Sequence, residues 1–155
     1  MPNSFMQRAI ALSIENATSG NGGPFGCVIV KDGAIIAEGA NRVTATNDPT
    51  AHAEIVALRD ACAKLGTFQL DGCDIYSSCE PCPMCLGAIY WARPSKLYFA
   101  STAEDAARAG FDDRFIYEQL EVDYRSRTIP AIQMMRGEAK EAFRVWESNP
   151  KRVEY

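Results

Sequence analysis

The chain has 155 residues, 47% of them hydrophobic and 23% charged, with a net charge of −4. That length fits a single domain, residues 1–155, with a buried core; no stretch reaches the ~18 apolar residues of a membrane span; and the acidic balance gives no electrostatic footing for a large nucleic-acid partner. Met1 to Asn16 lacks the basic start and solid apolar run of a signal peptide, so the expectation is a cytoplasmic protein whose six cysteines are ligands or core residues, not disulfides.

Phe5, Met6, Ala9, Ile10, Ile14 and Ala17 recur at helical spacing and Gly20 follows as a stop, which predicts an opening amphipathic helix. Phe25 to Lys31 and Ala34 to Gly39 are β-type runs separated by Asp32-Gly33, a hairpin signal because a type I′ turn needs positive φ. A loop rich in Thr and Asn follows. Asp48-Pro49 at its end predicts an N-cap and first helical position, and the helix from there carries Ile55, Leu58, Cys62 and Leu65 on one face and stops at Gly66. Cys73 to Ser78 reads as a strand, Pro83 to Ala92 as a helix and Lys96 to Ser101 as a strand, a βαβ unit that makes part of the sheet parallel. Helical stretches around Ala103 to Ala109 and Arg114 to Leu120 come next; Arg127 to Met135 reads as extended and Ala139 to Glu147 as helical. A hairpin followed by alternating helices and strands predicts a mixed sheet with helices on both faces.

Two segments carry chemistry: Thr50-Ala51-His52-Ala53-Glu54 and Glu80-Pro81-Cys82-Pro83-Met84-Cys85. One imidazole and two thiolates match a catalytic zinc site that keeps its fourth tetrahedral position for water, whose pKa the ion lowers toward ~7. Cysteines three apart at a helix start share a face and reach one ion, and a helix N-terminus favours thiolate. Glu54, two residues from the histidine, is placed to take the water proton and hand it to a departing amine. Singly these residues have plainer readings: a packed histidine, a redox pair, a surface glutamate. Jointly they form His-x-Glu followed by Pro-Cys-x-x-Cys, the signature of zinc deaminases, and His52 is the only histidine in the chain. A closed structural site remains open as an alternative, because Cys79 stands three residues before Cys82. Cys27, Cys62 and Cys73 read as small core residues.

With these motifs the chain resembles the cytidine deaminase-like superfamily and, within it, the bacterial guanine deaminase branch. The resemblance covers nearly the whole chain. It is carried by Gly22-Gly23-Pro24-Phe25-Gly26, by Asn47 to Glu54, by Ser78 to Arg93, by Ala109-Gly110-Phe111-Asp112-Asp113 and by Glu154-Tyr155. It implies an α/β fold, a three-layer α/β/α sandwich with a mixed central sheet. The implied activity is zinc-dependent hydrolysis of guanine to xanthine and ammonia, a step of purine catabolism. The implied metal ligands are His52, Cys82 and Cys85. Glu54 is the implied proton carrier, with Glu118 a second carboxylate for proton or ammonia transfer. The implied substrate residues are Phe25, Asn41, the backbone N–H of Ala53, Trp91, Asp113 and Tyr155. The implied assembly is a homodimer whose C-terminal segment swaps onto the partner, so that Asp113, Glu118 and Tyr155 act in trans.

These residue types suit guanine. A carboxylate accepts from its N1–H and 2-amino group, and an aromatic ring gives the base a flat wall. Plainer readings stand beside them: Phe25 and Trp91 as core, Asn41 as a strand-end cap, Asp113 as a helix N-cap. Three functional alternatives stay open: a tRNA adenosine deaminase with the same metal motif, another small-base or nucleoside deaminase, and a zinc-stapled binding module without activity.

Overall fold

The computed structural model describes residues 3–155. It divides into two compact units, one up to Asp113 and one over Arg114–Tyr155. Among the described residues no helix is long and apolar enough to cross a membrane.

The first unit opens with helix α1 (Ser4–Ser19), which Gly20 ends in the left-handed conformation. Strands β1 (Gly26–Lys31) and β2 (Ala34–Ala40) form the hairpin, and its turn has φ of 50° at Asp32 and 75° at Gly33, as a type I′ turn requires. Short helix α2 (Val43–Thr46) and helix α3 (Ala53–Leu65) follow, then strand β3 (Cys73–Cys79), helix α4 (Pro83–Ala92), strand β4 (Lys96–Ser101) and helix α5 (Ala103–Arg108). The sheet order is β2-β1-β3-β4; β1 runs antiparallel to both β2 and β3, while β3 and β4 are parallel.

Strand alternation separates the two faces of this sheet. Val28, Val30 and Tyr76 pack with Ala9 of α1 and the flanking Phe5, Met6 and Leu12. Cys27, Ile29 and Ile75 point the other way, into the larger core shared with α3 and α4. Helices therefore cover both faces, the three-layer α/β/α sandwich with a mixed sheet that the sequence predicts. Cys27 and Cys73 are buried core residues and Cys62 is partly buried against the same core; none of the six cysteines is in a disulfide.

Two expectations are corrected. Asp48-Pro49 does not start a helix: Asp48 Oδ1 accepts from Thr50 N at 2.8 Å and Thr50 Oγ1 at 2.7 Å, which closes an Asx-type turn, and α3 begins only at Ala53. A carboxylate can satisfy its own nearby backbone as readily as a helix terminus, and the turn sets the chain's direction into His52. The other correction lies in the second unit. Helix α6 (Arg114–Glu121) and helix α7 (Arg136–Ser148) are present, but Arg127 to Met135 forms bends and irregular chain after a 3-10 turn at Tyr124–Ser126. An extended-looking run becomes a strand only where a partner strand takes its hydrogen bonds.

Candidate metal centre and active site

The site forms at the carboxyl end of β3, where ligands of open α/β sheets bind. The start of α3 supplies one side of it and the start of α4 the other. His52 is the N-cap of α3 and Cys82 the N-cap of α4, with Pro83 as the first helical residue. Ser, Thr, Asp or Asn at such positions would add about 1 kcal/mol by capping. Neither His52 nor Cys82 makes a side-chain cap bond. Their side chains turn to each other instead.

His52 Nδ1 lies 3.5 Å from Cys82 Sγ and 3.4 Å from Cys85 Sγ. With Zn–S near 2.3 Å and Zn–N near 2.0–2.1 Å, tetrahedral angles place nitrogen and sulfur about 3.5 Å apart. The three donors are thus already spaced as the corners of a zinc tetrahedron, and they are the one such group among the described residues. Cys79 stands apart from it. Its thiol faces Thr102 O at 3.6 Å, and burial pushes it up to about 11. That removes the closed four-ligand site.

The donors are electrostatically prepared. The neighbouring Cys85 and His52 hold Cys82 down at about 4, against the cost of burial. Cys85 is pushed up by Cys82 beside it and by burial. His52 is raised by its Cys82 partner. Zinc binding would take both cysteines as thiolates.

Glu54, in the first turn of α3, is 6% exposed. Its Oε2 accepts from Cys85 Sγ at 3.5 Å and its Oε1 from Ser77 Oγ at 3.1 Å. Desolvation raises its pKa, the direction that lets a carboxylate hold a proton as well as take one. Ala53, the first residue of α3, is fully buried, and its N–H belongs to the helix start, where no intrahelical acceptor exists.

The loop from Gly22 to Phe25 and the end of β2 form a polar knot beside this centre. Asn41 Oδ1 accepts from Gly23 N at 3.4 Å and from Val43 N at 3.2 Å, which leaves the Asn41 Nδ2 group as its donor. Buried Asn16 of α1 donates from Nδ2 to Gly23 O at 2.8 Å and Asn41 O at 2.9 Å. Phe25 meets Phe111 edge to face, with ring centroids 5.0 Å apart. Asp113, two residues beyond Phe111, is partly buried, and that burial raises its carboxyl above the ordinary range. Glu80 ties these parts together. Its Oε2 accepts from Ala103 N at 2.9 Å and its backbone N–H donates to Ser101 O at 2.8 Å, fixing the start of α5 to the loop that carries Cys82.

The structure therefore brings His52, Cys82, Cys85 and Glu54 together, and sets Ala53 beside them. Trp91 follows Cys85 by about two turns on α4 and is 61% exposed. Glu118 and Tyr155 belong to the second unit. Sequence reasoning missed Ser77, Asn16, Phe111 and Glu80. For Ser77 a signal exists: a hydroxyl at a position where strand alternation calls for an apolar side chain.

Residues 2–101 match the family described as the cytidine and deoxycytidylate deaminase zinc-binding region. Guanine deaminase of Bacillus subtilis (strain 168) is 56% identical over 151 residues, 97% of this chain and 97% of that protein. An X-ray structure of guanine deaminase from Bacillus subtilis superposes with a TM-score of 0.97 at 54% identity, over 100% of this chain and 99% of that one. A tRNA-specific adenosine deaminase of Agrobacterium fabrum is 49% identical over 78 residues, 50% of this chain and 51% of that protein. With three zinc-spaced donors and a buried glutamate beside them, the chain belongs to the zinc-binding cytidine and deoxycytidylate deaminase family, on its guanine deaminase branch.

Proposed function

We propose that this protein hydrolyses guanine to xanthine and ammonia, with zinc held by His52, Cys82 and Cys85 and with Glu54 moving the protons. The observation that carries the reading is the buried Glu54 carboxylate against the thiol of Cys85, inside a donor set spaced for zinc. Zinc bound there supplies a Lewis acid and an acidified water. The chain's own groups do the rest. Glu54 accepts the proton of the attacking water and delivers it to the departing amino group, so that water's oxygen ends on guanine C2 and the amine leaves as ammonia. Burial keeps competing water from that carboxylate.

Substrate recognition follows from the groups around it. Phe25, with Phe111 at its edge, offers a wall for the purine ring. Asn41 Nδ2 and the Ala53 N–H are donors for ring acceptors, and Asp113 accepts from N1–H and the 2-amino group. Support for Trp91, Glu118 and Tyr155 is the family resemblance alone. The whole chain acts as one deaminase domain in a cytoplasmic homodimer, whose C-terminal segment serves the partner's site. What supports this is that α6 and α7 bury none of their residues, although they carry Phe115, Leu120, Phe143, Val145 and Trp146.

The tRNA adenosine deaminase reading has one observation in its favour, the 49% identity over half the chain. Against it stand the net charge of −4 and the far wider match to guanine deaminase. Ammonia release measured across guanine, adenine, cytosine, cytidine, guanosine and a tRNA anticodon stem-loop separates the two. Guanine turnover up to ~10⁴-fold above adenine is expected, since adenine leaves the Asp113 acceptor unpaired; faster reaction on the tRNA stem-loop would reverse the assignment.

A further inference from the structure

Ser77 stands on β3 between Tyr76 and Ser78, opposite Cys27 of β1. Its face of the sheet is the one that holds Cys27, Ile29 and Ile75, all fully buried. A hydroxyl at such a place is costly to desolvate unless it is hydrogen-bonded. Ser77 is 2% exposed, and among the described residues the one bond its side chain makes is donation to Glu54 Oε1 at 3.1 Å. Backbone pairing of β3 needs nothing from that side chain. Gly26 N draws on the neighbouring Ser78 Oγ instead, at 3.0 Å. Among the described residues Glu54 also draws on its own backbone N–H and on the Cys85 thiol; a cysteine that ligates zinc has lost its proton, which leaves Ser77 as the side-chain donor.

We propose that Ser77 is the positioning residue for Glu54: its hydroxyl pins Oε1, so the carboxylate presents Oε2 alone to the metal-site donors. The proposal rests on Glu54 being the proton carrier. A carboxylate free to turn about its last torsion would divide its time between orientations, and proton transfer needs one of them. Partners one step removed from a metal site are typically worth 10–100-fold in activity.

The test is Ser77→Ala in the zinc-loaded enzyme. Alanine fits the space but leaves the buried Glu54 Oε1 without this donor, so thermal melting is run alongside and kcat is read on the folded, zinc-loaded fraction. The expected result is a kcat lower by ~10–100-fold, KM for guanine within about threefold, zinc still bound at one per chain, and a crystal structure in which the Glu54 carboxylate is rotated or doubled. A kcat within about twofold of the parent, or a single unchanged Glu54 orientation, overturns the proposal. Loss of zinc in step with kcat also overturns it, since the damage would then lie in the ligands. Glu54→Gln, measured alongside, tests the underlying reading separately: an active Glu54→Gln removes Glu54 as the carrier, whereas an inactive Glu54→Gln beside an unimpaired Ser77→Ala removes only the role of Ser77.

Discussion

Gly39 is where sheet packing and catalysis meet. It lies on β2, and a Cβ built there would sit 2.7 Å from Ala57 N, 3.0 Å from Ala57 Cβ and closer still to the Ala53 carbonyl oxygen. Ordinary contact begins near 3.4 Å, so Gly39→Ala forces the first turns of α3 away from the sheet by about 0.7 Å or more. Overpacking of this kind costs about 1–3 kcal/mol, which for a chain of this size lowers Tm by roughly 2–12 °C. The same displacement moves His52 and Glu54, which flank Ala53. Misplacement of catalytic groups by ~1 Å costs about 10²-fold, so kcat/KM should fall by ~10–100-fold while a folded fraction persists. Gly87→Ala in α4 is the control. Nothing lies within 4 Å of its added Cβ, and it should be neutral or stabilise by about 0.5–1 kcal/mol. Differential scanning calorimetry and steady-state guanine turnover on both variants make the comparison. Wild-type Tm and kcat/KM in Gly39→Ala would refute the claim that close approach of β2 sets the position of α3.

His52→Ala, Cys82→Ala and Cys85→Ala should each lose zinc and activity together, whereas Cys79→Ser should keep both; metal analysis by atomic emission checks this, and zinc loss in Cys79→Ser would restore the four-ligand site. Arg8 meets Glu38 through two 2.8 Å bonds and holds its carboxyl below the ordinary range. A depressed folded pKa stabilises above the unfolded value and is lost as pH falls through the folded one. Glu38→Gln should therefore cost up to about 1 kcal/mol at neutral pH, with the difference vanishing in acid melts. Removing Val153 to Tyr155 should leave a folded, zinc-loaded protein with severely reduced guanine turnover. Mixing that truncation with Glu54→Gln should restore some activity if the segment serves the partner, and no rescue in verified hybrids would place its action within one chain.

Most of the first unit was legible because its signals are local. Gly20, Asp32-Gly33 and Gly66 each mark a place where positive φ is needed, and all three end or turn the chain there. His52, Glu54, Cys82 and Cys85 were legible as chemistry because the two segments make sense only together. Asp48-Pro49 misled because a side chain that caps a helix can equally close a turn, and the choice depends on where His52 must point. Asn16 and Glu80 stayed hidden because their partners are distant in sequence, 25 and 23 residues away, and no periodicity announces a contact of that kind; for Ser77 strand alternation marks the position but not its partner Glu54, 23 residues away. Arg127 to Met135 misread for a related reason: extended chain is local, but a strand needs a neighbour.

The most direct measurement is guanine turnover by zinc-loaded wild type and zinc-loaded Glu54→Gln, followed as xanthine formed and ammonia released. Wild type should yield the two products in equal amounts, and Glu54→Gln should keep its fold and its one zinc per chain while kcat falls by at least ~10²–10⁴-fold. A Glu54→Gln enzyme with near-normal kcat, or a zinc-loaded wild type that leaves guanine untouched, would contradict the account.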